Sequence, residues 1–164
     1  MMAILARLEV TGFSIWIRET GWVFFGSLIL HSLALGLVVG ICLVLNLKIL
    51  GPAARIPDKH LADFLPVVWL GLILVVLSGG LLLIAYPAKA LTNPVFFLKG
   101  TSVLLALLIT LKLTTRRILQ PSTMPSGRIA RTLAGVALML WITSIAAGRF
   151  LAYTHSILLA SRYY

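Results

Sequence analysis

The chain reads as an all-α integral membrane protein, a four-helix bundle with an N-terminal amphipathic interfacial segment, on three observations. Hydrophobic residues make up 60% of its 164 residues and charged residues only 11%, against roughly 45–50% and about 25% in soluble domains; the mean hydropathy is +1.07. The apolar residues gather into four runs, each reaching the roughly 20 residues that a helix needs to cross the hydrocarbon. The fourteen Lys and Arg, against four Asp and Glu, fall mostly between those runs. That placement sets membrane topology rather than a nucleic-acid surface.

Residues 1–20 mix Ile4, Leu5, Leu8, Phe13, Ile15, Trp16 and Ile17 with Arg7, Glu9, Arg18 and Glu19, and Gly12 divides them. The charges interrupt any short apolar core, so the stretch does not read as a secretory signal. It reads as an amphipathic segment lying on the membrane surface, or docked on a partner protein. The transmembrane domain, residues 21–164, has spans of about 21–47, 64–86, 94–113 and 132–160. The first is uncharged but for His31, the second has no charge, the third carries Lys99 and Lys112, and the fourth is interrupted by Arg149 and His155. Asn93-Pro94 supplies an N-cap and first helical residue for the third span, and Ser126 a cap for the fourth. Trp16, Trp22, Phe24 and Phe25 form an interfacial belt at one end, and Asn46 and Lys48 anchor the other end of the first span. Between the first two spans, Pro57 to Asp63 reads as a short surface helix capped by Asp58. Asp58, His60 and Asp63 could hold a metal there, although a solvated loop is the commoner outcome.

The connections after the first and third spans carry Lys48, Arg55, Lys59, Lys112, Arg116, Arg117, Arg128 and Arg131. The other side has Arg7, Arg18, Lys89 and Arg162. The excess places the two basic connections in the cytoplasm and both termini on the periplasmic side of a bacterial inner membrane.

Ionisable side chains within spans are costly and mark candidate sites. His31, Lys99, Arg149 and His155 all fall toward the outer side. The two histidines differ in depth by roughly 10 Å at 1.5 Å per residue, but side chains lean toward their own helix N-terminus, which brings His31 and His155 nearer. Ser27 and Ala34 share the face of His31; Ala152, Gly148 and Ser144 share that of His155. Gly36 and Gly40 form a GxxxG spacing, and the second span contributes Ser78-Gly79-Gly80. Small residues leave room for a flat cofactor, or let helices approach closely.

Two readings follow. In one, His31 and His155 ligate the iron of haem b and Lys99 and Arg149 hold its propionates. In the other, Lys99 and Arg149 snorkel to the headgroups, His31 hydrogen-bonds a neighbouring helix, and His155 is interfacial. Cys42 is the single cysteine and forms no intrachain disulfide, and there is no CxxC, GxSxG, HExxH or P-loop. No carboxylate lies inside a span, which counts against a proton-coupled carrier.

Four stretches carry a resemblance. They are Trp16 to Trp22 leading to His31-Ser32-Leu33-Ala34-Leu35-Gly36; Leu45-Asn46-Leu47-Lys48-Ile49-Leu50-Gly51; Trp69-x-Gly71 with Ser78-Gly79; and Asn93-Pro94-x-Phe96-x-x-Lys99. Over roughly the first two-thirds of the chain they resemble an uncharacterised family of small bacterial four-helix inner-membrane proteins, a domain of unknown function. In layout and histidine placement the chain is distantly similar to CopD-type and b-type cytochrome membrane domains. The resemblance implies the topology and draws attention to His31 and Lys99; it brings no activity with it.

Three functions remain in view. The first is a membrane cytochrome b passing electrons between a quinone or redox protein partner and an outer-side acceptor. The second is a non-catalytic anchor or assembly subunit of a larger respiratory or transport complex, a homo-oligomer included. The third is a small permease. The bilayer is a partner in each, and nucleic acid in none.

Overall fold

The computed structural model describes residues 7–120 and 127–160, the side chains of 58, 59, 61, 152 and 154–160 excepted. Among the described residues the helices from Gly12 onward are α1 (Gly12–Glu19), α2 (Gly21–Leu50), α3 (Asp58–Ala85), α4 (Pro87–Leu91), α5 (Pro94–Leu119) and α6 (Gly127–Ala160). Four of them, α2, α3, α5 and α6, are long and apolar enough to cross a membrane. The fold is an all-α four-helix membrane bundle, and the large apolar side chains left outward, such as Leu33, Leu70, Val76, Leu104 and Ile142, meet lipid.

The span starts at Gly21 and Pro94 fall where the apolar runs place them, whereas every helix extends farther at the basic end, to Leu50, Asp58, Leu119 and Gly127. Apolar runs measure the hydrocarbon crossing; Lys and Arg continue a helix into the interface with little loss of propensity. The expected short helix at Pro57 to Asp63 is therefore the opening of α3 itself. Its N-cap is Pro57 rather than Asp58, and the helix runs on through Pro66. Asn93 does cap α5, its side chain accepting from Val95 N at 2.9 Å with Pro94 following. Ser126 lies outside the described residues.

The helices pair as two hairpins, α2 with α3 and α5 with α6, each packed more closely within itself than against the other. Gly71 makes the first pairing possible: a Cβ there would stand 2.6 Å from Val38 Cγ2 and 3.7 Å from the carbonyl oxygen of Ala34. Along α6, Ala130, Ala134, Ala137, Ser144 and Ala147 are buried at helical spacing, a small-residue face that lets α5 approach. Gly36 and Gly40 do not serve this purpose. Both are exposed, with nothing within 4 Å of an added Cβ. Val38, Val39, Cys42, Val68, Ala106 and Trp141 form the central core, and Ile49, Leu113, Ala130 and Ala134 a second cluster toward the basic end.

Polar side chains mostly complete helix ends. Gly51, at φ +119°, closes α2, its N–H donating to Leu47 O at 3.0 Å; only glycine takes that backbone without strain. Asn46 and Lys48, at the basic end of α2, are both buried rather than turned to lipid. Lys48 Nζ turns into the α2–α3 connection and donates to the carbonyls of Ile56 and Ala54.

Residues 7–20 join the bundle by one face. Ser14 and Ile17 are buried, and Ser14 Oγ donates to Ile84 O at 2.9 Å. Arg18 donates to Ala85 O at 3.4 Å and to Glu9 O at 2.9 Å, while Glu9 Oε1 accepts from Ala88 N at 3.2 Å. The carbonyls ending α3 thus gain donors and the first turn of α4 gains an acceptor, the charge signs matching the helix dipoles. Phe13 and Trp16, stacked with centroids 6.0 Å apart, remain on the exposed side.

Gly71→Ala should destabilise the bundle by about 1–3 kcal/mol through overpacking against the χ1-stiff Val38. Thermal unfolding in detergent should show this, with part of the loss recovered in Gly71→Ala/Val38→Ala.

Candidate functional site

At the end of the bundle opposite the basic connections, all four spanning helices line a cavity of about 360 Å³, within the size range of small-molecule sites. Its walls are apolar: Phe24 and Leu28 of α2, Leu82 and Leu83 of α3, Phe96 of α5 and Leu151 of α6. Into this lining come His31, Lys99, Lys89 and Tyr86. Among the described residues the lining contains two ammonium groups and no carboxylate.

His31 is held by the neighbouring helix. Its Nδ1 lies 3.2 Å from Val75 O and 3.2 Å from Ser78 Oγ. The Ser78 hydroxyl donates back along α3 to Leu74 O, so both groups facing Nδ1 act as acceptors. This network assigns the proton of the neutral ring to Nδ1 and leaves the lone pair on Nε2. The ring can lie so close because α3 offers a glycine: a Cβ at Gly79 would stand 3.0 Å from His31 Cε1 and 3.2 Å from Nδ1.

Lys99, five residues past the start of α5, reaches across to α6. An added Cβ at Gly148 would meet its Cε at 3.7 Å and Nζ at 3.8 Å. Gly148 thereby gives the lysine stem a shallow seat between the helices. At the rim, the Tyr86 ring packs edge-on against Phe24 at 5.7 Å. Arg18 Cζ lies 5.7 Å and Lys89 Nζ 5.8 Å from its centroid, distances at which ring and cation attract.

Of the four residues expected to share a site, the structure brings His31 and Lys99 into one cavity. Arg149 is exposed and lies outside its lining; one residue past the cavity-lining Gly148, it is turned about 100° around the helix. The side chain of His155 lies outside the described residues. His60 lies on the exposed surface with its Nδ1 3.6 Å from Asp63 Oδ2. Among the described residues no group of three or more His, Cys, Asp or Glu could hold a metal ion. Lys89 and Tyr86 were not expected in the site. In sequence Lys89 is one more loop charge, and only the short α4 turns it back over the cavity.

No family model, no curated protein and no solved structure matches the chain.

Gly79→Ala should push the His31 ring off Val75 and lower the melting temperature in detergent. In the His31→Ala background the same substitution should be close to neutral, a coupling that a double-mutant cycle measures directly.

Proposed function

We propose that the chain is a multi-pass protein of the bacterial inner membrane that binds haem b in the cavity between its hairpins and takes part in electron transfer on the outer side. The observation that carries this is the company of His31: an imidazole whose Nδ1 faces a backbone carbonyl, in an apolar cavity shared with two ammonium groups. Metal-bound histidines characteristically donate their second N–H to such a carbonyl, which fixes the tautomer and raises the basicity of the ligating nitrogen.

The donor set suits haem. Nε2 of His31 would ligate the iron, the apolar walls would take the macrocycle, and half-buried Lys99 and exposed Lys89 would pair with propionates through charge-assisted contacts. His155 is the candidate for a second residue that would hold the iron. It stands seven residues past Gly148 and four past Leu151, on the same helical register as those two lining positions. Bound haem would supply one-electron chemistry at its iron. The residues of the chain bind it, fix the ligand tautomer, neutralise the propionates and keep the tetrapyrrole out of water. A quinone or a redox protein would be the electron partner. The basic connections at the far end support a cytoplasmic location for that end and a periplasmic one for both termini.

A second reading, an anchor or assembly subunit, draws on Gly36 and Gly40. Their outward, open positions on α2 suit the approach of a helix from a larger complex or from another copy.

The reduced-minus-oxidised visible spectrum of protein purified from haem-supplemented cells decides between them. A sharp low-spin α-band lost in His31→Ala supports the haem protein, and Lys99→Gln should weaken haem retention about tenfold, near 1.4 kcal/mol. A flat spectrum from folded protein sinks the haem reading and leaves the subunit. Cysteines placed at Arg55 and at Lys89 should react with an impermeant thiol reagent from opposite sides of intact membranes; labelling from the same side overturns the four-span topology.

A further inference from the structure

Near the middle of the bundle, one turn toward the basic end from the central core, the two hairpins meet through polar groups. Asn46 of α2 is fully buried, and its Nδ2 donates to Cys42 O at 2.7 Å and to Thr110 Oγ1 of α5 at 2.7 Å. The Thr110 hydroxyl spends its own hydrogen on Ala106 O, at 2.7 Å. Both neighbours of the amide are therefore acceptors, a carbonyl and a committed hydroxyl oxygen, so the NH₂ group must face them and the amide cannot be turned round. Oδ1 is left pointing elsewhere, buried and without a hydrogen-bond partner among the described residues.

Trp141 of α6 is also fully buried, and its Nε1–H likewise has no partner among the described residues. These two orphans are of opposite sign, one acceptor and one donor, and both lie beside the central core. Trp141 shares the central core with Cys42 and Ala106, whose carbonyls take the Asn46 amide and the Thr110 hydroxyl. Direction favours their meeting as well. Side chains lean toward the N-terminus of their own helix; α6 starts at the basic end, so Trp141 leans toward the level of Asn46. Asn46, on the antiparallel α2, leans toward Cys42. An unmade hydrogen bond at such a site costs about 1–3 kcal/mol per group, and in a low-dielectric interior both would carry that cost at once.

We propose that a water molecule is bound between Trp141 Nε1 and Asn46 Oδ1, accepting from the indole and donating to the amide oxygen. It completes a hydrogen-bonded bridge from α2 to α5 and α6, which holds the two hairpins in register midway between the cavity and the basic connections. Water is the ligand that fits, because the site asks for one molecule that both accepts and donates, and buried waters typically make two to four such bonds. The bridge is independent of any occupant of the cavity.

The test is NMR of the full chain in detergent, ¹⁵N-labelled at tryptophan. The Trp141 Nε1–H resonance is identified by its loss in Trp141→Phe. In the wild-type protein it should show an NOE to water with a ROE of opposite sign, the mark of a long-lived bound molecule. It should also exchange with D₂O far more slowly than the indole of Trp22, which is 92% exposed. In Asn46→Leu the water cross-peak should vanish. A Trp141 indole with no water cross-peak in the wild type overturns the proposal, whether or not the Asn46→Leu protein folds. A downfield indole proton that responds to Asn46→Leu without ever showing the water cross-peak would mean a direct indole–amide bond, and overturns it too.

Discussion

Lipid tails are as apolar as leucine, so helices in a bilayer gain little by hiding apolar surface from one another. Close contact and paired polar groups have to hold them together. In this protein the close contact is spent within the hairpins, and α2 and α3 meet closely over Gly71. There a Val38 methyl occupies the space that any β-carbon would need. Two turns along α3 the same close approach brings Gly79 beside His31, so the ring can come near the helix and reach Val75 O. The hydrogen bonds of the histidine are thus a consequence of the packing that makes the hairpin.

What is left between the hairpins divides by position. Midway, Asn46 and Thr110 join them through buried hydrogen bonds. At the far end from the basic connections, the apolar walls flank His31 and Lys99, with no carboxylate in the lining among the described residues. Burying an ammonium without an anion is costly, so half-buried Lys99 is a group that an anion would stabilise.

The polar residues near the rim connect the cavity to the N-terminal segment. Ser14, Arg18 and Glu9 complete the end of α3 and the start of α4, and Arg18 lies over Tyr86, itself a cavity residue. Anything that moved α1 would free the Ile84 and Ala85 carbonyls and disturb the aromatic contact between Tyr86 and Phe24. Exposed Phe13 and Trp16 leave the outer side of that small helix apolar, as suits the membrane interface.

The number of spans, the starts of α2 and α5 and the Asn93 cap of α5 were legible in the residues, because they depend on local things: hydrocarbon thickness, the chemistry of Asn-Pro, and unbroken apolar runs. The residues also singled out His31 and Lys99, since an ionisable group within a span is conspicuous wherever it faces. Facing was decided only in three dimensions. Gly36 and Gly40 carried the visible spacing motif, yet Gly71 and Gly79 make the close approach, because a spacing says nothing about which side of a helix meets a neighbour. Asn46 and Lys48 read as anchors of one end of the first span; that they are buried, one joining the hairpins and the other holding a loop, was not legible. Arg149 and Gly148 are adjacent in the chain and lie on different sides of α6. Composition and local spacing determined that this protein is a four-helix membrane bundle with polar groups inside it. The rotation of each helix about its axis, set by the sum of many weak contacts between distant residues, decided which of those groups share a cavity.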